Sequence, residues 1–308
     1  DGSYDTSTGV SSNPEYGKVF ISIKPTTGAN LTTVQKSNLV SAFSPFKVAS
    51  ITPVVVDAET TYLILNTTFN YDSSATTSTK DELASLISTT IENYNTNELQ
   101  EFNSSFRHSK LTGLIDNSDT SILNNTTTVT MGKFFTPVVS STSYTLNFNN
   151  AFYNPHASHN TDAGGVISST GFYLDNSITT EYFFDDDGSG NLRIYSLSSS
   201  GVRTYLNTTA GTVNYTSGLI STTSLLISAV SNVDGLSSSQ IRVTVIPNSN
   251  DVIPVRNQIL EIDLVNTTTG GNVDTQSTTG LGYTVTSTGT TSTTTVSTPS
   301  SNPTSSAY

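Results

Sequence analysis

Cysteine and tryptophan are both absent from this sequence, and methionine occurs once. Without cysteine there is no disulfide, no thiolate nucleophile and no cysteine-based zinc site, and no redox compartment is indicated. The lack of tryptophan removes the best sugar-stacking side chain, although 14 tyrosines keep such stacking open. Charge is also scarce, at 12% of 308 residues, roughly half the usual share. Bases are the rarer sign, 12 against 24 acids for a net charge of −12, and they stand singly at Lys18, Lys24, Lys36 and Lys47. Phosphate backbones reward clustered Lys and Arg, so nucleic-acid binding is disfavoured and no nucleic-acid partner is expected. No apolar run reaches the roughly 18 residues of a membrane-spanning helix, so no membrane partner is expected.

Ser, Thr and Asn fill the space left by charge. Threonine suits strands because its branched Cβ fits a pleated surface, while Asn and Ser favour turns. The bulk reading is β-rich with a polar surface. An apolar fraction of 34% is lean for a compact domain, and such a chain is either elongated or completes its burial against a partner. Its length fits two domains. The chain opens on Asp-Gly-Ser-Tyr without an initiator Met and reads as part of a longer protein.

Residues 1–14 read as a Gly/Ser/Thr-rich linker from a preceding region. Val19, Ile21 and Ile23 then alternate with other residues in a strand over 17–24. Thr32 and Gln35 form a capping-box pattern opening a helix that runs to Pro45. Strands are expected over 46–56, interrupted at Pro53, and over 61–71. The tight link Asp57-Ala58-Glu59-Thr60 between them predicts an antiparallel hairpin. A second capping box, Thr79 with Glu82, opens the clearest helix, whose Leu83, Leu86, Ile87, Ile91 and Tyr94 share one face. After a polar break at 95–97, Leu99, Phe102 and Phe106 continue at helical spacing, and a strand covers 122–135. In order this is a split βαββαβ (ferredoxin-like) domain over residues 15–136. Its broken second helix would leave Leu99, Phe102 and Phe106 as a candidate interaction surface.

From Pro137 short strand candidates recur with turn signals between them, as at 144–148, 192–197 and 241–246, and no helical stripe intervenes. Residues 137–265 therefore read as an antiparallel β-sandwich, which makes the fold class α+β. Residues 266–308 form a Thr/Ser/Gly-rich low-complexity tail, expected on composition to be disordered. Its alternating Thr and Val could otherwise add a strand to a neighbour's sheet edge.

Two segments resemble metal sites. His156, His159 and Asp162 lie within seven residues, but lack the i,i+4 helical spacing and nearby Glu of metalloprotease motifs. The segment is read as a polar loop. Asp185, Asp187 and Gly190 fit positions 1, 3 and 6 of a calcium loop, but Ser196 occupies the twelfth, where a bidentate Glu belongs. With strands on both sides, the Asp-Gly and Gly-Asn steps read as a hairpin turn. No nucleophile elbow, P-loop or dinucleotide fingerprint occurs. No catalytic residue, metal site or cofactor is assigned, and no enzyme is expected.

The run from Pro14 to Pro25 (PEYGKVFISIKP), together with FRHSKL at 106–111, DDGSGNLRIY at 186–195, GTVNYTSG at 211–218 and RNQILEID at 256–263, resembles the baseplate wedge subunit of contractile-tailed bacteriophages, in the baseplate J-like family. The resemblance covers residues 14–265, as the C-terminal part of the longer family protein, and leaves the tail without a counterpart. It implies a virion protein of the tail baseplate, assembled in the host cytoplasm. It further implies self-association as a dimer within a ring, contacts to other wedge and hub proteins, and rearrangement when the sheath contracts. The alternative is a receptor-binding or adhesive β protein, a tail fibre or surface module. A third reading, a polysaccharide-degrading enzyme, would require acidic residues converging in a cleft.

Overall fold

The computed structural model describes residues 17–25, 31–46, 51–154, 156, 165–233, 238–255 and 258–274, and short strand pairs at 4–5 with 10–11 and 284–285 with 294–295. The rest of the linker and of the tail beyond 274 lies outside the described residues. The fold is mixed α+β, dominated by strands, with few helices and a sandwich-like stacking of sheets.

The chain enters through a small βαβ unit. Strand β1 (Lys18–Ser22) leads to helix α1 (Thr33–Phe43), and β2 (Thr52–Val56) returns parallel to β1. Thr32 caps α1 as its sequence predicts: its side chain accepts from the Gln35 amide, and the Gln35 side chain accepts from the Thr32 amide.

Two long strands follow, β3 (Glu59–Tyr71) and β4 (Ile122–Phe135), paired antiparallel along most of their length. Between them lie α2 (Lys80–Glu98) and α3 (His108–Asp116). The reciprocal Thr79–Glu82 capping box opens α2, and Leu83, Ile87, Ile91 and Tyr94 are buried along one stripe. Alternate β3 residues, including Leu63, Leu65 and Phe69, are fully buried in the same core as that stripe.

Nine strands complete the sandwich: β5 (Thr145–Asn147), β6 (Ile167–Ser169), β7 (Phe172–Leu174), β8 (Tyr182–Asp186), β9 (Asn191–Leu197), β10 (Arg203–Asn214), β11 (Leu219–Thr222), β12 (Ile227–Val230) and β13 (Ile241–Val245). Two more, β14 (Gln258–Ile262) and β15 (Thr268–Val273), lie parallel to β3, one beyond the other. The six-stranded sheet runs β14-β3-β4-β13-β6 with β15 also on β3, and the seven-stranded sheet runs β12-β7-β8-β9-β10-β11-β5. The central sheet thus draws strands from both sides of residue 136. Gly211 lets β10 and β11 approach closely, since a Cβ there would lie 2.2 Å from the Ser221 carbonyl oxygen.

Three expectations change. The four strands of residues 15–136 do not form the split ferredoxin-like sheet, because β1 and β2 pair only with each other while β3 and β4 centre a different sheet. Residues 57–60 do not close a hairpin, because Glu59–Leu63 pairs parallel with β14 and β2 pairs with β1. The helical stripe over 99–106 is not a helix. Gln100 and Asn103 take left-handed backbone (φ 64° and 66°), the Gln100 amide donates to the Leu260 carbonyl at 3.0 Å, and Phe106 bridges to Val252. The second helix starts instead at His108. In the tail, Thr268–Val273 adds a strand to the chain's own sheet.

Asp251 caps α3 from across the fold. Its carboxylate accepts from the His108 amide at 2.9 Å and from Arg107 Nη1 at 3.0 Å. These bonds, the His108 amide first, hold its pKa below the ordinary Asp value. Asp251→Ala is expected to cost about 1 kcal/mol in chemical denaturation. Because the folded pKa is depressed, this contribution is present above the unfolded value, about pH 3.9, and is lost as pH falls through the folded one. The gap between variant and wild type should therefore close in acid. Phe106→Ala, at a fully buried ring set edge-on to Tyr94, should cost about 3–5 kcal/mol in the same assay.

Candidate assembly surfaces

The segment expected to meet a partner is mostly interior. Leu99 and Phe106 are 1% and 0% exposed, and Phe102 alone is partly exposed. Their three- and four-residue spacing mimics a helix face, but it reflects a turn pinned to β14 that drops two apolar groups into the core.

His156 is exposed, and its neighbours through Asp162, including His159, lie outside the described residues. The triple aspartate ends β8 and opens a hairpin turn to β9, with Gly188 and Gly190 at positive φ. Its three carboxylates serve three structural tasks. Asp185 is buried and accepts from Arg193 Nε at 2.9 Å, Arg203 Nη1 at 2.7 Å and the Tyr205 hydroxyl at 3.0 Å. Each guanidinium stacks on a tyrosine, Arg193 on Tyr205 at 4.4 Å and Arg203 on Tyr195 at 4.5 Å. Asp186 ties the turn to β6, accepting from the Val166 and Ile167 amides, and receives the Tyr215 hydroxyl at 2.7 Å. Burial, and then this bond, push the Tyr215 pKa far up. Asp187 closes the turn by accepting from the Ser189 and Asn191 amides. Beside it lies an open recess of about 550 Å³, lined by turn backbone, threonines and Tyr215.

A second buried pair joins Lys133 to Glu59, with the ammonium 5.9 Å from the Phe148 ring centroid. Burial lowers the Lys133 pKa, and Glu59 opposes the shift. The pair joins the start of β3 to β4, with Lys133 buried and Glu59 partly covered.

Exposed apolar groups occur over the body as well, as at Val139, Ile178 and Val202, but the βαβ unit combines them with an almost complete lack of buried residues. In the βαβ unit α1 has no buried residue, and Pro53 is the single buried residue among those described in 17–56. Val34 is 69% and Phe46 84% exposed. Two parallel strands under one helix cannot enclose a core, and parallel strands are ordinarily covered on both faces. On the body, the turn after β14 holds Leu264 and Val265 outward, 43% and 92% exposed, while the Asp263 carboxylate accepts from the Val265 and Asn266 amides. That turn and α2 frame a groove of about 150 Å³ lined by Ser88, Thr89, Ile91, Glu92, Leu264 and Thr267.

The break between unit and body coincides with a break between two family matches. Residues 7–56 match the model described as baseplate structural protein gp6, C-terminal domain I, and residues 59–133 that of gp6 C-terminal domain III. The chain is similar to baseplate wedge proteins. Baseplate wedge protein gp6 of Enterobacteria phage T4 is 30% identical over 115 residues, which is 37% of this chain and 17% of that relative. The matched stretch thus spans about a sixth of the relative's length. These matches support a baseplate wedge protein family, and neither model carries the baseplate J-like name.

The surface thus missed by periodicity carries a signal in its charge. Residues 17–56 hold four of the chain's 12 basic residues and none of its 24 acids.

If the aspartate turn is structural, Asp185→Ala leaves two arginines without their carboxylate and should cost about 3–5 kcal/mol. Added calcium should leave the wild-type melting temperature unchanged. A calcium-dependent rise that Asp187→Asn abolishes would reinstate the metal reading.

Proposed function

We propose that this chain is a structural component of a phage tail baseplate, located in the virion, which works by binding copies of itself and other baseplate proteins. The observation that carries this reading is the coincidence just described, in which two gp6 C-terminal domain models meet at residues 57–58, where one sheet system ends and another begins. The βαβ unit is then an assembly module and the two-sheet body its support. A nearly coreless unit is understandable only as part of something larger, because its apolar groups gain burial on assembly. No catalytic role, cofactor or metal is proposed.

The finer parts of the reading belong to the same proposal. The chain forms a dimer within a ring, joins wedge and hub proteins during assembly in the host cytoplasm, and changes its contacts when the sheath contracts. Of Leu99, Phe102 and Phe106, Phe102 is the one whose side chain can reach a partner. The ion pairs Lys24–Glu261, at 3.4 Å, and Lys36–Asp57, at 2.6 Å, tether the unit to residues outside it. The Lys36–Asp57 pair is partly exposed and can be exchanged at little cost, whereas the side chains of Lys24 and Glu261 are largely covered.

Analytical ultracentrifugation of the chain over a concentration series tests this reading. A reversible, concentration-dependent dimer or higher species is expected, and Phe102→Ala should weaken it by more than its effect on the melting temperature accounts for. A monomer at every concentration up to the millimolar range would contradict self-association.

A further inference from the structure

We propose that Lys133 and Glu59 form an intramolecular isopeptide bond, an amide between the lysine Nζ and the glutamate Cδ that ties the first residue of β3 to β4.

The two side chains come from the two strands of the central ladder, 74 residues apart in sequence, and the lysine nitrogen is in direct contact with Glu59 Oε1. That contact leaves both groups short of partners. An ammonium has three donors, and Glu59 is the one acceptor that Lys133 has among the described residues. Glu59 Oε2 is buried and accepts no hydrogen bond. The polar groups nearby are paired elsewhere. Gln258, opposite Glu59 in the pairing of β14 with β3, gives its side-chain amide to Thr61 and, at 3.1 Å, to the Phe148 carbonyl. The Phe148 ring lies beside the lysine nitrogen. Asp185 differs, since it accepts from two arginines and a tyrosine. A covered ion pair is costly unless further hydrogen bonds complete it, and here they are missing.

Condensation removes that shortage. Burial lowers the Lys133 pKa, which favours transfer of one ammonium proton to Glu59 and leaves a neutral amine against a neutral carboxyl. The amine lone pair then forms the Nζ–Cδ bond. The bond from Cδ to the hydroxyl breaks, and the hydroxyl leaves with a second amine proton as water. No oxidant or reductant is needed. Holding the two groups in contact within the fold replaces a bimolecular encounter with an intramolecular one. The product carries no charge, one oxygen fewer and a single N–H.

The position gives the bond a task. Residues 57–58 connect Glu59 to the βαβ unit, so a pull on that unit enters the body at the first residue of β3. Hydrogen bonds loaded from one end of a strand open one after another. An amide at Glu59 passes the load to β4 through covalent bonds before the ladder is reached.

Intact-mass spectrometry of the full chain, kept folded until injection, tests the inference. The chain should be lighter than its sequence by one water. Trypsin should fail to cut after Lys133, and the digest should contain a branched peptide joining residues 59 and 133. Lys133→Met and Glu59→Ala should each return the chain to its full sequence mass. The branched peptide is sought in the wild type, so it decides the matter even if a variant does not fold. A wild type of full mass that trypsin cuts after Lys133, even after prolonged incubation in the folded state, would overturn the inference and leave a plain ion pair. A loss of water that persists in both variants, without the branched peptide, would also overturn it, because the water then leaves from another site, such as ring closure at Asp187-Gly188.

Discussion

The antiparallel ladder between β3 and β4 is the constraint from which the rest of the structure follows. Its register, from Tyr62 opposite Gly132 to Tyr71 opposite Ile122, sets one buried face along both strands. Leu63, Leu65 and Phe69 lie on that face with Val129 and Met131. The buried hydroxyls of Thr67 and Thr127 meet across it at 3.1 Å. Because the two strands are consecutive in the sheet but distant in sequence, everything between them must return to the same place. Helix α3 does so by packing on β4, and α2 by packing on α3 and on β14 and β15, the strands that flank β3. The opposite edge of β3 then accepts β14 and β15, and β13 extends the sheet beyond β4. A one-residue slip would turn the apolar set of both strands to solvent.

Where local chemistry decides, the sequence was readable. The two capping boxes at Thr32 and Thr79 opened helices where expected, the strand over 122–135 has the predicted bounds, and Asp185–Gly190 is the hairpin turn its Asp-Gly and Gly-Asn steps imply. Partner choice was not readable, because strand pairing is decided by contacts far apart in sequence. Nothing in Gln258–Ile262 announces that it will lie parallel to Glu59–Leu63, and nothing in Thr268–Val273 separates it from the low-complexity residues that follow. Leu99 and Phe106 misled for a different reason. Apolar spacing of three and four is shared by a helix face and by a turn that drops both residues into one core.

The lean composition is explained by its uneven distribution. The body concentrates its apolar residues into one continuous core, and buries charges only where each finds partners, as at Asp185 and Lys133. The βαβ unit has the apolar residues but not the layers to cover them. That asymmetry separates a chain built to be completed from one that is merely small. It also fits the similarity to baseplate wedge proteins, since parts of a ring need surfaces that are unfinished alone.

The most direct test is hydrogen exchange of the intact chain followed from low to high protein concentration. If the βαβ unit is completed by another copy, amides of 18–22 and 52–56 should exchange quickly when dilute and gain protection as concentration rises. Amides of 62–71 and 122–131 should stay protected throughout, since their ladder lies within one chain. Equal and concentration-independent protection of both regions would contradict the account, because the unit would then be finished by itself.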